Sequence, residues 1–192
     1  WGRALWLKIM GGYLDRGERV EVIFGDTSHG SPGWRTQTFC EDSFEFKTLV
    51  DPIATYEFKE LPQSPTVPVV AGDPVRPVCV APSEALPWQE FDYYLKLEDR
   101  WGNPTRRMRM HHSGFAEGGW HTLEATDPET GLSAESNPID VTDEPRGRHL
   151  YWADLHGQSE ETVGTNTIDD YFTFAREMGL LDISGHQGND FQ

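Results

Sequence analysis

Asp154, His156 and Gln158 stand at alternate positions in "YWADLHGQSEETVG", residues 151–164. Successive side chains of a strand point to opposite faces, so one face carries an acid, an imidazole and an amide. A buried strand ordinarily fills such positions with valine, isoleucine or leucine. A second imidazole, His186, closes the later apolar run "LLDISGH". Neutral imidazole is the commonest protein ligand for first-row divalent metals, and an amide oxygen is a weaker, uncharged one. His156, Gln158 and His186 are therefore candidate ligands. Asp154, one step deeper in the strand, is placed to orient a ligand instead of binding the ion. Asp190 in "GHQGNDFQ" and Glu161, beside Glu160 in the loop after the strand, are further donors. An ion so held lowers the pKa of a bound water and polarises a phosphoryl or carbonyl oxygen, which is hydrolytic chemistry.

Other readings compete. Histidines at strand ends also occur as surface or hydrogen-bonded core residues. Asp154, His156 and Ser159 include the residue types of a serine triad. Ser159, however, has the opposite strand parity, and the G-x-S-x-G elbow is absent.

Three elements must position these residues. "LYWADLH" reads as a strand. "TIDDYFTFAREMG" reads as a helix, with Ile168, Tyr171, Phe172, Ala175 and Met178 on one face. Thr167 is placed to cap it, Asp169 and Asp170 sit in the first turn, and Gly179 suits the position past its end. "LLDISGH" supplies a second strand. Strand, helix and strand at this spacing form a βαβ unit with parallel strands about 4.8 Å apart if they pair directly. Their carboxyl ends share an edge, where α/β folds bind ligands.

The preceding residues are punctuated by proline and glycine. Residues 1–65 read as an N-terminal β region, with strands expected over "ALWLKIM", "RVEVIFGD", "FEFKTLVD" and "ATYEFKEL". Residues 66–146 read as an immunoglobulin-like β-sandwich region, with "DRWGNP" and "TDPETG" as turns. Residues 147–192 form the third part. His111 and His112 are adjacent and cannot chelate together from a strand. The cluster Arg100, Arg106, Arg107 and Arg109 reads as ion-paired surface.

Lysine and arginine total 16 against 32 acidic residues, a net charge of −16, which disfavours nucleic acid as a partner. No apolar run approaches the roughly 20 residues of a membrane span. The chain starts at Trp1, so any signal peptide would lie upstream. Cys40 and Cys79 lack metal or redox spacing and read as two thiols, with a single disulfide as the alternative.

The stretch from Tyr151 to Gln192 resembles the start of the catalytic part of the DUF3604 family. That family is similar to the PHP (polymerase and histidinol phosphatase) superfamily of metal-dependent hydrolases. "GDTSHGSPGWRTQTF", "VDPIATYEF" and "GLSAESNPI" look like the same family's N-terminal β region, so the resemblance spans nearly the whole chain. It implies a β + α/β fold, in which a β-sandwich region precedes the first βαβ unit of a PHP-like distorted α/β barrel. It also implies divalent metal ions (zinc, manganese or iron) and hydrolysis of a phosphoester or related bond in a small-molecule or anionic substrate.

His156 matches the first histidine of the superfamily's H-x-H strand and His186 the later one, whereas Gln158 replaces the second histidine. Such a barrel has several βα units and this chain holds little more than one. The resemblance therefore implies that the remainder of the catalytic domain lies downstream, as a partner of these residues, and that the chain alone is inactive. A homo-oligomer is compatible with the sequence. The alternative reading, kept open by Gln158, is a β-sandwich binding or assembly module with a degenerate, metal-free PHP-like remnant.

Overall fold

A computed structural model describes residues 4–144 and 149–188. The chain divides into two units, Trp1–Thr36 and Gln37–Gln192. Residues 4–36 contain turns but no strand. The strands expected over "ALWLKIM" and "RVEVIFGD" are therefore absent. Alternating side chains choose a face only where a partner strand takes the backbone bonds and a second layer buries the apolar side. Here Leu5, Leu7, Ile9, Val20 and Val22 are exposed.

The second unit is rich in strands, arranged in several small sheets. Its first strands are β1 (Glu41–Glu45), β2 (Leu49–Val50), β3 (Lys59–Glu60) and β4 (Thr66–Val69). They form two antiparallel pairs, β1 with β4 and β2 with β3. Next come β5 (Arg76–Val80), β6 (Glu84–Ala85), β7 (Phe91–Glu98) and β8 (Pro104–His112). They are followed by β9 (Gly119–His121), β10 (Glu124–Thr126), β11 (Ser133–Glu135) and β12 (Ile139–Val141).

β7 is the centre of an antiparallel sheet, β5-β7-β8. Its inward residues Phe91, Leu95 and Leu97 seed two core clusters. One joins Phe91 to Ala81, Ala85, Ile139 and Val141, reaching the β6-β12-β9 sheet. The other joins Leu95 and Leu97 to Cys79 and Ala125, with Leu132 and Ala134 of the β10–β11 hairpin packed against them. The alternation of "FDYYLKLE" is thus used fully, because both of its ends meet a covering layer.

Turn chemistry fixes the strand ends. The buried Asp99 carboxylate accepts the N–H groups of Gly72, Trp101 and Asn103 and the Asn103 side chain. Burial pushes its pKa up, but these hydrogen bonds outweigh that and hold it well below the usual carboxylate range. Three of the four arginines in the cluster are ion-paired, Arg106 to Asp127 and Glu129, Arg107 to Glu177, and Arg109 to Asp92, whereas the Arg100 guanidinium lies 4.5 Å over the Trp101 ring. Cys40 and Cys79 are free thiols.

The final elements are β13 (Ala153–Gly157), α1 (Ile168–Phe174), a π-helical turn over Ala175–Gly179 and β14 (Ile183–His186). β13 and β14 pair in parallel, the expected βαβ arrangement. Thr167 caps α1 in a complete capping box with Asp170. Two details differ from the sequence reading. α1 itself buries no residue, and of the expected apolar face only Ala175 is buried. The left-handed residue at the end is Leu180 (φ 56°), not Gly179, because the π-turn carries the helix one residue further before it stops. No helix among the described residues is long and apolar enough to cross a membrane.

Candidate functional site

The parallel pairing brings the carboxyl ends of β13 and β14 to one edge. Ala153 pairs with Ile183 and Asp154 with Ser184, but the register then shifts and Gly157, not His156, lies opposite His186. A bulge of this kind inserts one residue and re-aims the side chains that follow it. Gly157 is required here for space. A Cβ built on it would fall inside the Tyr171 phenol, whose hydroxyl lies 2.7 Å from Ser184 Oγ and 3.3 Å from the Gly185 carbonyl. Tyr171 of α1 thereby crosses the strand pair and meets the His186 ring edge-on at 5.7 Å.

Past Gly157 the chain closes a tight loop. The Ser159 carbonyl accepts N–H bonds from Thr162 (3.0 Å) and Gly164 (2.9 Å), and Glu160 N–H bonds to the Asn166 carbonyl at 2.8 Å. Gly164 has backbone of Gln158 against the space a Cβ would take, so only glycine closes the loop this way. The result is a fully buried Ser159 whose Oγ lies 3.0 Å from His186 Nε2.

The expected site residues are thus distributed as follows. His186 is half-buried at the strand edge, held by Ser159 and flanked by Tyr171 and Phe172. Gln158 is half-buried and its Oε1 accepts from the Thr162 hydroxyl at 3.1 Å. His156 is exposed at the same end of β13, and no ring contact joins it to His186 among the described residues. Asp154 acts on the His156 backbone: its Oδ1 accepts the His156 N–H at 3.0 Å. Glu161 is exposed, and its N–H donates to Ser159 Oγ at 3.3 Å. Asp190 lies outside the described residues.

Two neutral imidazoles and an amide oxygen suit one side of a divalent ion's shell. Among the described residues no three histidine, cysteine or acidic side chains are disposed to hold an ion. Ser159 is the residue that sequence reasoning passed over. Parity excluded it as a partner of His156, yet the loop carries it past the strand end to His186. The available signal was Gly164, whose position makes "GQSEETVG" a closed loop and not an extended tail.

Compared with protein-family models, with curated proteins and with solved structures, the chain finds no match.

Proposed function

We propose that the chain is the N-terminal β region and opening βαβ unit of a metal-dependent hydrolase, PHP-like and of the DUF3604 kind. The observation that carries this reading is the parallel β13–β14 pair, joined through α1, with Gln158, Ser159 and His186 at its carboxyl edge. Ligand sites of α/β folds lie at that edge.

The surface of the unit supports the same conclusion. Parallel sheets are covered on both faces in larger α/β assemblies. Here Leu155 and Ile183 are 59% and 47% exposed, and α1 buries nothing. Such a pair suits a larger parallel sheet with further strands and helices, which on this reading also supply the remaining donors.

In this function His156 and His186 are the imidazole donors, Gln158 an uncharged oxygen donor, and Asp154 the residue that fixes the His156 backbone. Glu161 and Asp190 are additional carboxylates near the loop. A bound divalent ion supplies an activated water and polarises the substrate oxygen. A small anionic phosphoester fits that chemistry, because its developing charge lies on oxygens the ion stabilises.

A second reading, a β-sandwich binding module with a metal-free remnant, is kept open by Gln158, which stands where the resemblance expects a histidine. Metal analysis of the full-length protein beside His156→Ala separates the two. The hydrolase reading expects bound divalent metal that drops in the variant. Equal metal content in both supports the binding module.

A further inference from the structure

We propose that Ser159 is a positioning residue for His186, donating its hydroxyl to Nε2 and so fixing the imidazole in the Nδ1–H tautomer. The consequence for metal chemistry rests on the hydrolase reading above; the hydrogen bond itself does not.

Ser159 is 0% exposed, so its hydroxyl cannot turn to bulk water. An unmade hydrogen bond at such a group costs about 1–3 kcal/mol. Its oxygen already accepts the Glu161 N–H at 3.3 Å, which leaves the O–H in need of an acceptor. His186 Nε2, at 3.0 Å, is that acceptor. A neutral imidazole carries one N–H, so a ring accepting at Nε2 carries its proton on Nδ1.

Both partners are held. The loop fixes Ser159 through its carbonyl, which takes the Thr162 and Gly164 N–H groups. The ring is flanked by Tyr171 at 5.7 Å and Phe172 at 6.5 Å. The hydroxyl and the imidazole are therefore pre-set by packing.

A ligating nitrogen must present a lone pair, and in this tautomer that lone pair is on Nε2. Ser159 holds the ring proton on Nδ1 and occupies Nε2 with its own hydroxyl. Coordination at Nε2 would require the buried Ser159 side chain itself to leave that lone pair and find another acceptor within the loop. A serine that positions a ligand in this way differs from a nucleophile: it is buried, and it faces His186 and not a substrate.

The test is long-range proton–nitrogen NMR on the full-length protein with nitrogen-labelled histidine, His186 being assigned by its loss in His186→Gln. In the metal-free wild type, His186 is expected to show a pyrrole-like Nδ1 and a pyridine-like Nε2. In Ser159→Ala the two signals are expected to move toward the Nε2–H form. Added zinc tests the hydrolase reading separately, through the signals of His156 and His186. A wild-type His186 protonated on Nε2 overturns the proposal without need of any variant. Zinc that moves neither His156 nor His186, with the tautomer as stated, overturns the hydrolase reading and leaves the serine–histidine bond standing.

Discussion

Replacing Gly157 by alanine tests the geometry of the βαβ unit at its tightest point. The added Cβ would overlap the Tyr171 hydroxyl and two atoms of its ring. Tyr171 is not a loose side chain, since its hydroxyl bonds Ser184 and the Gly185 carbonyl and its ring meets His186. If the ring stays, the strands must separate, and overpacking of that kind costs about 1–3 kcal/mol. If the ring leaves, its hydrogen bonds go with it, each worth about 1 kcal/mol. Either route, or a mixture, destabilises the unit by about 2–4 kcal/mol. With a urea slope of about 2 kcal/mol/M, the midpoint falls by about 1–2 M.

Urea unfolding followed by circular dichroism gives the magnitude. Amide exchange at Ile183 and Gln187, which bond the Trp152 and Gly157 carbonyls, places the loss in this unit. Tyr171→Phe should not relieve the variant, because a ring atom still fills the space. Tyr171→Leu should relieve it in part, giving a coupling of about 1 kcal/mol or more between the two sites. An unchanged midpoint for Gly157→Ala, or strictly additive costs with Tyr171→Leu, refutes the reasoning.

Leu97→Ala empties a fully buried site beside Leu95 and Cys79, and should cost about 3–5 kcal/mol in denaturant unfolding. Thr167→Ala removes the capping box with Asp170 and should cost about 1 kcal/mol, seen as faster exchange of the Asp170 and Tyr171 amides. Glu177 is bonded by Arg176 and by Arg107 of β8, which together hold its carboxyl below the ordinary glutamate value. Its contribution is therefore full above that ordinary value and lost as pH falls through the lowered one. The stability difference between wild type and Glu177→Gln should shrink on acidification and with salt; a difference that grows at low pH contradicts the ion-pair assignment.

The C-terminal unit was the most legible part of the sequence. Thr167 with Asp170, the periodic residues after them and two flanking apolar runs are local signals, and each is realised in the capping box, α1 and the parallel pair. Within residues 66–146, "FDYYLKLE" and the "DRWGNP" turn were equally readable, because alternation and Asp99 side-chain bonds act over a few residues. The N-terminal alternation misled, since "ALWLKIM" has the pattern of a strand but no neighbour with which to pair within residues 4–36. The end of α1 was misplaced by the π-turn, whose extra residue no local pattern announces. At the site, the types and strand positions of His156 and His186 were visible, but not the register shift that sets Gly157 opposite His186. Such a bulge is decided by tertiary fit, here the Tyr171 phenol lying over a residue without a side chain. The Ser159–His186 bond joins positions 27 residues apart and depends on loop closure at Gly164, so spacing alone could not reveal it.

The most direct measurement is an anomalous-scattering map, collected at the absorption edge of the bound metal, from crystals of the full-length protein. The account predicts a peak within coordination distance of the His186 ring, with the His156 ring turned toward the same ion. A metal-loaded crystal with no peak at the β13–β14 edge, or with its only peak elsewhere, would contradict it.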